Sequence, residues 1–421
     1  MTLNFGNLLS KIISVLFIIF REFWWIIIPL TLFVYFLKIF KKYQSQVKKN
    51  DDDPLVFLEL KFSLDSFKQP VTSMKNFFEN LKNIKLKDNK KIIFELFCFN
   101  NQLRYIVIAP KSLKDLVEVA FYSQYPDIKI IESLDFLSTL PPNIPNNSFD
   151  IWGEEYKLKK ENIYQINTIK SDIVSEKDSK IIDPVTILLE STAKADFQGM
   201  VVIQIVLTQL TDSQQKEYKF ESESVINKLL GKPMPANYSF SKDFLRAVSQ
   251  MVHEMIFFNH DLSADKKEEK KEPSSEDKTK ATDLKAKDNF GTFACNFRVA
   301  YISPKTITEK FVPPSIGMFV KQFASQNNSF DAIESQGVEF KSADLFSKWL
   351  AVLSKDSIEL AMKKDFFKRL AERKLNKKII VLNSEELASI YHFPFQKVSV
   401  KSLDYIKNKE NAPPSNLPII E

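Results

Sequence analysis

Glycine is scarce: seven residues in 421. Backbone amides approach a phosphate closely only where glycine permits it. No GxxxxGK[ST] and no GxGxxG occurs, and the segment at Gly231 lacks both the upstream glycine and the following Ser or Thr. A P-loop or Rossmann-type nucleotide site is therefore excluded, and no cofactor is expected. Cysteine is equally sparse. Cys98 and Cys295 are the whole complement, which argues for a reducing compartment and against a disulfide-built fold. The histidines number three. His253, Glu254 and His260 do not form HExxH, so they are assigned to polar positions of a helix rather than to a metal. His392, just before Pro394, is placed at a helix end. No Ser-His-Asp arrangement is assembled, and no catalytic residue is predicted. The excess of one charge sign is small, with 59 basic and 53 acidic residues giving +6, so no charge field marks the whole chain as a nucleic-acid binder.

Apolar residues, in contrast, are plentiful at 44%, enough for real cores. The abundance of Phe, Ile, Lys and Asn reads as compositional bias, and raw aromatic counts carry little weight. Residues 12–20 and 23–37 are apolar runs separated by Arg21 and Glu22. As a helix the first covers roughly 14 Å, too little for a hydrocarbon core of about 30 Å; the second, extended to Phe40, reaches about 27 Å. Trp24, Trp25 and Tyr35 suit the interfacial belts, and Lys38, Lys41, Lys42, Lys48 and Lys49 follow the run. These features predict a retained single-pass helix in the cytoplasmic (inner) membrane, with the bulk of the chain on the cytoplasmic side and the lipid bilayer as a partner. A cleaved signal peptide is disfavoured by the acidic residue, the tryptophans and the lack of an A-x-A site. Whether residues 12–20 lie in the interface or continue the same helix is left open.

Beyond the acidic residues 51–53, "LVFLELKFSL" alternates as a half-buried strand, and Pro70 opens a helix with Met74, Phe77, Phe78, Leu81 and Ile84 on one face. "IIFELFCF" and "LRYIVIA" form a hairpin about Asn100-Asn101, a helix follows from Ser112, and "IKII" closes the unit. This β-α-β-β-α-β order is the ferredoxin-like plan, an antiparallel sheet with both helices on one face. A second unit repeats it: "IYQINTI" as a strand, a helix from Asp183 and Pro184, "MVVIQIVLT", an insertion, "TFACNFRVAYI", the helix "PPSIGMFVKQFAS" and the strand "GVEFK". The predicted fold class is α+β: a transmembrane helix, then two ferredoxin-like units over 54–135 and 155–342. The second unit carries an insertion over about 210–289. Helices are expected near 214–230 and 241–258, and disorder over 262–289, because 265–288 holds eight lysines, eight acids and no aromatic residue. A basic helix and a strand–helix element fill 343–395, and a strand with a proline-rich linker fills 396–421.

One charged element stands out. Residues 363–378 carry Lys363, Lys364, Lys368, Arg369, Arg373, Lys374, Lys377 and Lys378 against Asp365 and Glu372, a local excess of six. Against the simple reading of a solvated helix face stand contact with anionic lipid headgroups and contact with nucleic-acid phosphates.

The segments "SQYPDIKI", "DPVTILLE" with "VVIQIVLT", "RVAYISPKTI" with "FVKQFASQNNSF", and "VLNSEELASIYHFP" leading into "APPSNLP" occur in a recognisable order. In that order they resemble the N-terminal region that precedes a type IV secretion coupling-protein ATPase in small-genome bacteria of the candidate-phyla type. In longer relatives the linker leads to a Walker A loop, which this sequence does not contain. The resemblance implies a non-enzymatic anchor or scaffold for a coupling-type, DNA-translocating ATPase encoded separately or lost, and the edges and faces of open sheets add the expectation of a homo-oligomer. It transfers no nucleotide-binding residue, because no position matches those motifs. The rival expectation is a membrane-tethered nucleic-acid binder using an open sheet face with Phe97, Phe99 and Tyr105, together with the basic helix.

Overall fold

The structure is a computed structural model describing residues 53–62, 69–84, 90–99, 102–169, 183–192, 198–233, 274–307, 310–333, 355–376 and 378–394. The chain separates into two compact units, Met1–Pro54 and Leu55–Glu421, and every described element belongs to the second.

The strands are β1 (Leu55–Lys61), β2 (Ile92–Phe99), β3 (Gln102–Pro110), β4 (Lys129–Glu132), β5 (Phe149–Leu158), β6 (Met200–Gln209), β7 (Thr292–Pro304), β8 (Phe330–Ala332) and β9 (Ile380–Asn383). The helices are α1 (Pro70–Asn83), α2 (Lys114–Tyr122), α3 (Pro184–Thr192), α4 (Asp212–Leu229), α5 (Ser275–Asp288), α6 (Val312–Lys321), α7 (Lys355–Ala371) and α8 (Ser384–Ile390).

The nine strands of the described residues form one sheet in the order β4-β1-β3-β2-β6-β7-β5-β8, with β9 beside the start of β7. Every pairing is antiparallel. β2 and β6 join the two halves over eight residue pairs, from Ile92↔Leu207 to Phe99↔Met200. The cause is legible in their composition. "IIFELFCF" and "VVIQIVL" are buried on both faces, and a strand apolar on both faces belongs inside a sheet rather than at its rim.

One face carries the larger core. Leu58, Leu60, Phe94, Leu96, Tyr105, Val107, Ile203, Ile205, Phe297 and Val299 meet side chains of α1, α2, α3, α6 and α8. The other face is covered as well. Ile93, Phe97, Ile106, Ile108, Val202, Val206, Ala300 and Ile302 lie under Leu137, Ile144 and the α7 residues Phe366, Phe367 and Leu370. A third cluster joins α4, α5 and β9 through Tyr218, Ile226, Ala281, Leu284 and Val381.

Several expectations are corrected. A transmembrane helix followed by two ferredoxin-like units gives way to an α+β architecture with one nine-stranded antiparallel sheet, buried on both faces. Among the described residues, no helix is long and apolar enough to cross a membrane. The predicted span at 23–40 and the run 12–20 before it lie outside the described residues, and the single-pass inner-membrane assignment is withdrawn. "IYQINTI" is not a strand: the amides of Ile166 and Ile169 donate to side chains of α8, Glu386 Oε1 at 2.9 Å and Ser389 Oγ at 2.9 Å. The first strand of the second half is β5 instead. Residues 275–288, placed in a disordered tether, form α5. A Ser274–Asp277 capping box starts it, and Ala281, Leu284 and Lys287 are buried. Burying Lys287 requires a partner, and its Nζ lies 3.1 Å from Glu386 Oε2, both side chains being fully buried. "GVEFK", the helix at 241–258, the remainder of the tether and residues 396–421 lie outside the described residues.

α7 crosses β5 where the strand has no side chain. A Cβ built at Gly153 would stand 2.1 Å from Phe366 Cε1. Gly153→Ala is expected to destabilise the protein by about 1–3 kcal/mol through overpacking, read as a lower urea midpoint. Adding Phe366→Leu should recover part of that loss, whereas additive losses would mean the two sites do not touch.

Candidate functional site

β2 and β6 each carry one charged or amide residue in an otherwise apolar run, and the register sets these beside Arg298 of β7 and Glu155 of β5. Glu95 of β2 faces Gln204 of β6, Gln204 faces Arg298 of β7, and Arg298 faces Glu155 of β5. All four are buried, at 2% exposure or less. They are bonded in sequence: Gln204 Nε2 donates to Glu95 Oε1 at 2.7 Å, Arg298 Nη1 to Gln204 Oε1 at 2.9 Å, and Arg298 Nη2 to Glu155 Oε1 at 3.2 Å. An unpaired charge at such a depth costs several kcal/mol, so the row is stable only with every member answered.

The segment that ends α7 supplies further partners. Leu370 O accepts from Gln204 Nε2 at 2.9 Å, Lys374 O accepts from Arg298 Nη2, and Asn376 Nδ2 donates to Glu155 Oε2 at 3.2 Å. Arg373 is the centre of this clamp. Its Nε and Nη2 grip Glu95 at 2.9 and 3.1 Å, while Nη1 and Nη2 grip Asp135 at 2.9 and 2.6 Å. The guanidinium also stands 4.9 Å from the Phe57 ring centroid, and Arg373 O accepts from Lys91 Nζ at 2.6 Å. Burial alone would lower the Arg373 pKa, but Glu95 and Asp135 outweigh it and hold the side chain above its ordinary value. Burial likewise pulls Arg298 down, against the attraction of Glu155.

The backbone makes a concession for this. Arg373 has φ of 51°, a left-handed conformation usually left to glycine, and Lys374 N bonds back to Arg369 O at 3.0 Å. A side chain there costs about 1 kcal/mol. The two bidentate pairs need that side chain, and only this turn aims it at Glu95.

The predicted surface cations divide accordingly. Arg373 is buried; Lys363 is tied to Asp150 at 3.1 Å; Arg369 pairs with Asp365 and approaches Glu155 at 3.7 Å. Arg373 is thus an internal tie, whereas Lys363 and Arg369 are half-buried and tied to partly exposed carboxylates. Lys364, Lys368, Lys374 and Lys378 remain exposed, and Lys377 lies outside the described residues. The aromatic trio does not share an open face. Phe97 is buried beneath Phe136, with centroids 5.4 Å apart. Phe99 also meets Phe136, at 5.4 Å. Tyr105 points to the opposite side of the sheet and donates to His392 O at 2.8 Å.

His392 is buried with Nε2 3.3 Å from Asp183 Oδ1; His253 and His260 lie outside the described residues. Among the described residues no group of three potential metal ligands is present. Both cysteines are buried. Cys98 Sγ lies 2.7 Å from Thr192 Oγ1, and burial pushes its thiol up to about 12, with Cys295 also raised. No protein-family model and no curated protein matches the chain.

The clamp was missed in the sequence, although its signal was present: "IIFELFCF", "VVIQIVL" and "CNFRVAYI" each hold a charged or amide residue among apolar neighbours. Such a residue must meet a buried partner.

Arg373→Met is expected to destabilise the protein by about 3–5 kcal/mol, because Glu95 and Asp135 lose their counter-charge in the interior. Arg373→Met with Glu95→Met should be less destabilised than the single variant; equal losses in denaturant titrations would refute the coupling. Neither thiol should react with Ellman's reagent in the native state at mildly alkaline pH, and both should react in denaturant. Because the folded pKa of Cys98 is raised from 9.0 to about 12, its contribution to stability is whole below about pH 9 and is lost as the pH climbs towards 12.

Proposed function

We propose that the chain is a non-enzymatic scaffold that seats a separate ATPase of the coupling-protein type. The observation supporting this most directly is the unbroken pairing of β2 with β6, which makes the two halves one sheet, clamped across its centre by Arg373. A platform for a motor must resist load, and long antiparallel pairing with a hydrogen-bonded buried polar row supplies stiffness. The order of motifs shared with the region preceding such ATPases supports the identity of the partner. The polar groups of the clamp bond to one another, which suits a structural role.

A nucleic-acid binder is the weaker reading. Phe97 and Tyr105 stack on no common surface, and Lys363, Arg369 and Arg373 are already tied to carboxylates of the fold.

The full chain, mixed with a purified coupling-type ATPase from the same genome, is expected to form a complex of defined stoichiometry by light scattering. Alone it should show no ATP turnover. Turnover by the chain alone, or tight salt-sensitive DNA binding with no complex, would overturn the proposal.

A further inference from the structure

The sheet stops at β4, whose outer side pairs with no strand among the described residues. The antiparallel register with β1 and the bond from Ser133 N to Phe57 O fix which backbone groups face outward. Those of Ile131 and Ser133 turn to β1, so the N–H and C=O groups of Ile130 and Glu132 point away from it. No proline or bulge guards this edge. The side chains on the helix-covered face are already settled: Ile130 packs on the larger core, and the Glu132 carboxylate is turned back to Lys114 of α2.

α2 lies over the same edge. Lys114, Glu118 and Tyr122 are four residues apart on one stripe, and Lys114 reaching Glu132 sets that stripe above β4. Six large apolar side chains are exposed among the described residues, and four belong to this corner: Leu116 at 48%, Val119 at 65%, Tyr122 at 43% and Leu134 at 79%. Such a concentration marks an interaction surface. β4 carries one charge of each sign and residues 111–122 carry two of each, so two copies meet here without net repulsion.

We propose that this corner is a two-fold contact with a second copy of the chain. The β4 strands run antiparallel with Ile131 opposite its own counterpart, and each Ile130 bonds through both backbone groups to Glu132 of the other copy. Four bonds then satisfy every outward group of both edges. Centring the pair on Ile130 instead strands the Glu132 carbonyls, because Ile128 N is already bonded to Tyr125 O at 3.1 Å. The two-fold axis stands perpendicular to the sheet, so both α2 helices lie on one face and present Val119 and Tyr122 to each other. Edge bonds set the register, and the apolar side chains supply the area. The inference names a surface for the expected homo-oligomer and is independent of the scaffold reading, because no ATPase takes part.

Light scattering of the full chain should give a dimer mass that falls to the monomer mass on dilution. Both native cysteines are buried, so a thiol placed on the edge reacts alone. Ile131→Cys should form a covalent dimer under mild oxidation, because facing Cα atoms of a non-hydrogen-bonded antiparallel pair stand about 4.5 Å apart, within disulfide reach. Lys129→Cys should not, because its counterpart lies about 13 Å away along the strand. Glu132→Pro removes an outward N–H and no bond within the sheet, and should weaken the dimer about tenfold. Tyr122→Glu and Tyr122→Lys should each be monomeric alone and dimeric when mixed, a recovery that misfolding cannot imitate. A monomer at every concentration, a dimer untouched by Glu132→Pro and both Tyr122 substitutions, or equal crosslinking through Lys129→Cys would overturn the proposal.

Discussion

One guanidinium fixes the second face of the sheet. Glu95 sits at the middle of a central strand, where an unpaired carboxylate is untenable, and Arg373 reaches it from a position 278 residues later in the chain. That reach has structural consequences in order. α7 must end where Arg373 can turn into the left-handed region. Phe366, Phe367 and Leu370 must then lie on the sheet, and β5 must offer Gly153 beneath Phe366. The segment at Asp135 is drawn in by the same guanidinium, so covering helix and covering loop share one electrostatic anchor.

The arrangement also gives the polar row a direction. Charge-assisted bonds at its two ends, Arg373 with Glu95 and Arg298 with Glu155, are linked through the neutral amide of Gln204. The sheet joint between the halves therefore carries backbone pairing, apolar contact on both faces and a bonded polar chain at the same place. Such coincidence favours a single cooperative body, a property suited to a proposed platform and unsuited to two modules hinged for movement.

Local periodicity made much of this legible. The alternation in "LVFLELK" yields β1, with Leu58 and Leu60 inward to the larger core and Glu59 on the other face. Pro70 opens α1, and the spacing of Met74, Phe77, Phe78 and Leu81 names its buried side. Pairing between halves was harder, because an apolar run reports that a strand is central without reporting its neighbour. α5 escaped for a different reason: its charges are balanced and dense, and three buried positions, Ala281, Leu284 and Lys287, leave almost no apolar stripe. Arg373 was placed on the surface because composition shows charge but not depth. Arg373 and Lys364 look alike in the sequence, and only their distant partners separate them.

Native-state hydrogen exchange of the β2 and β6 amides tests the central claim that the two halves are one cooperative structure. Amides of Phe94, Leu96, Ile203 and Ile205 are predicted to exchange only through global opening, with one shared free energy and one shared dependence on denaturant. Separate opening energies for the β1–β4 half and the β5–β8 half would contradict it.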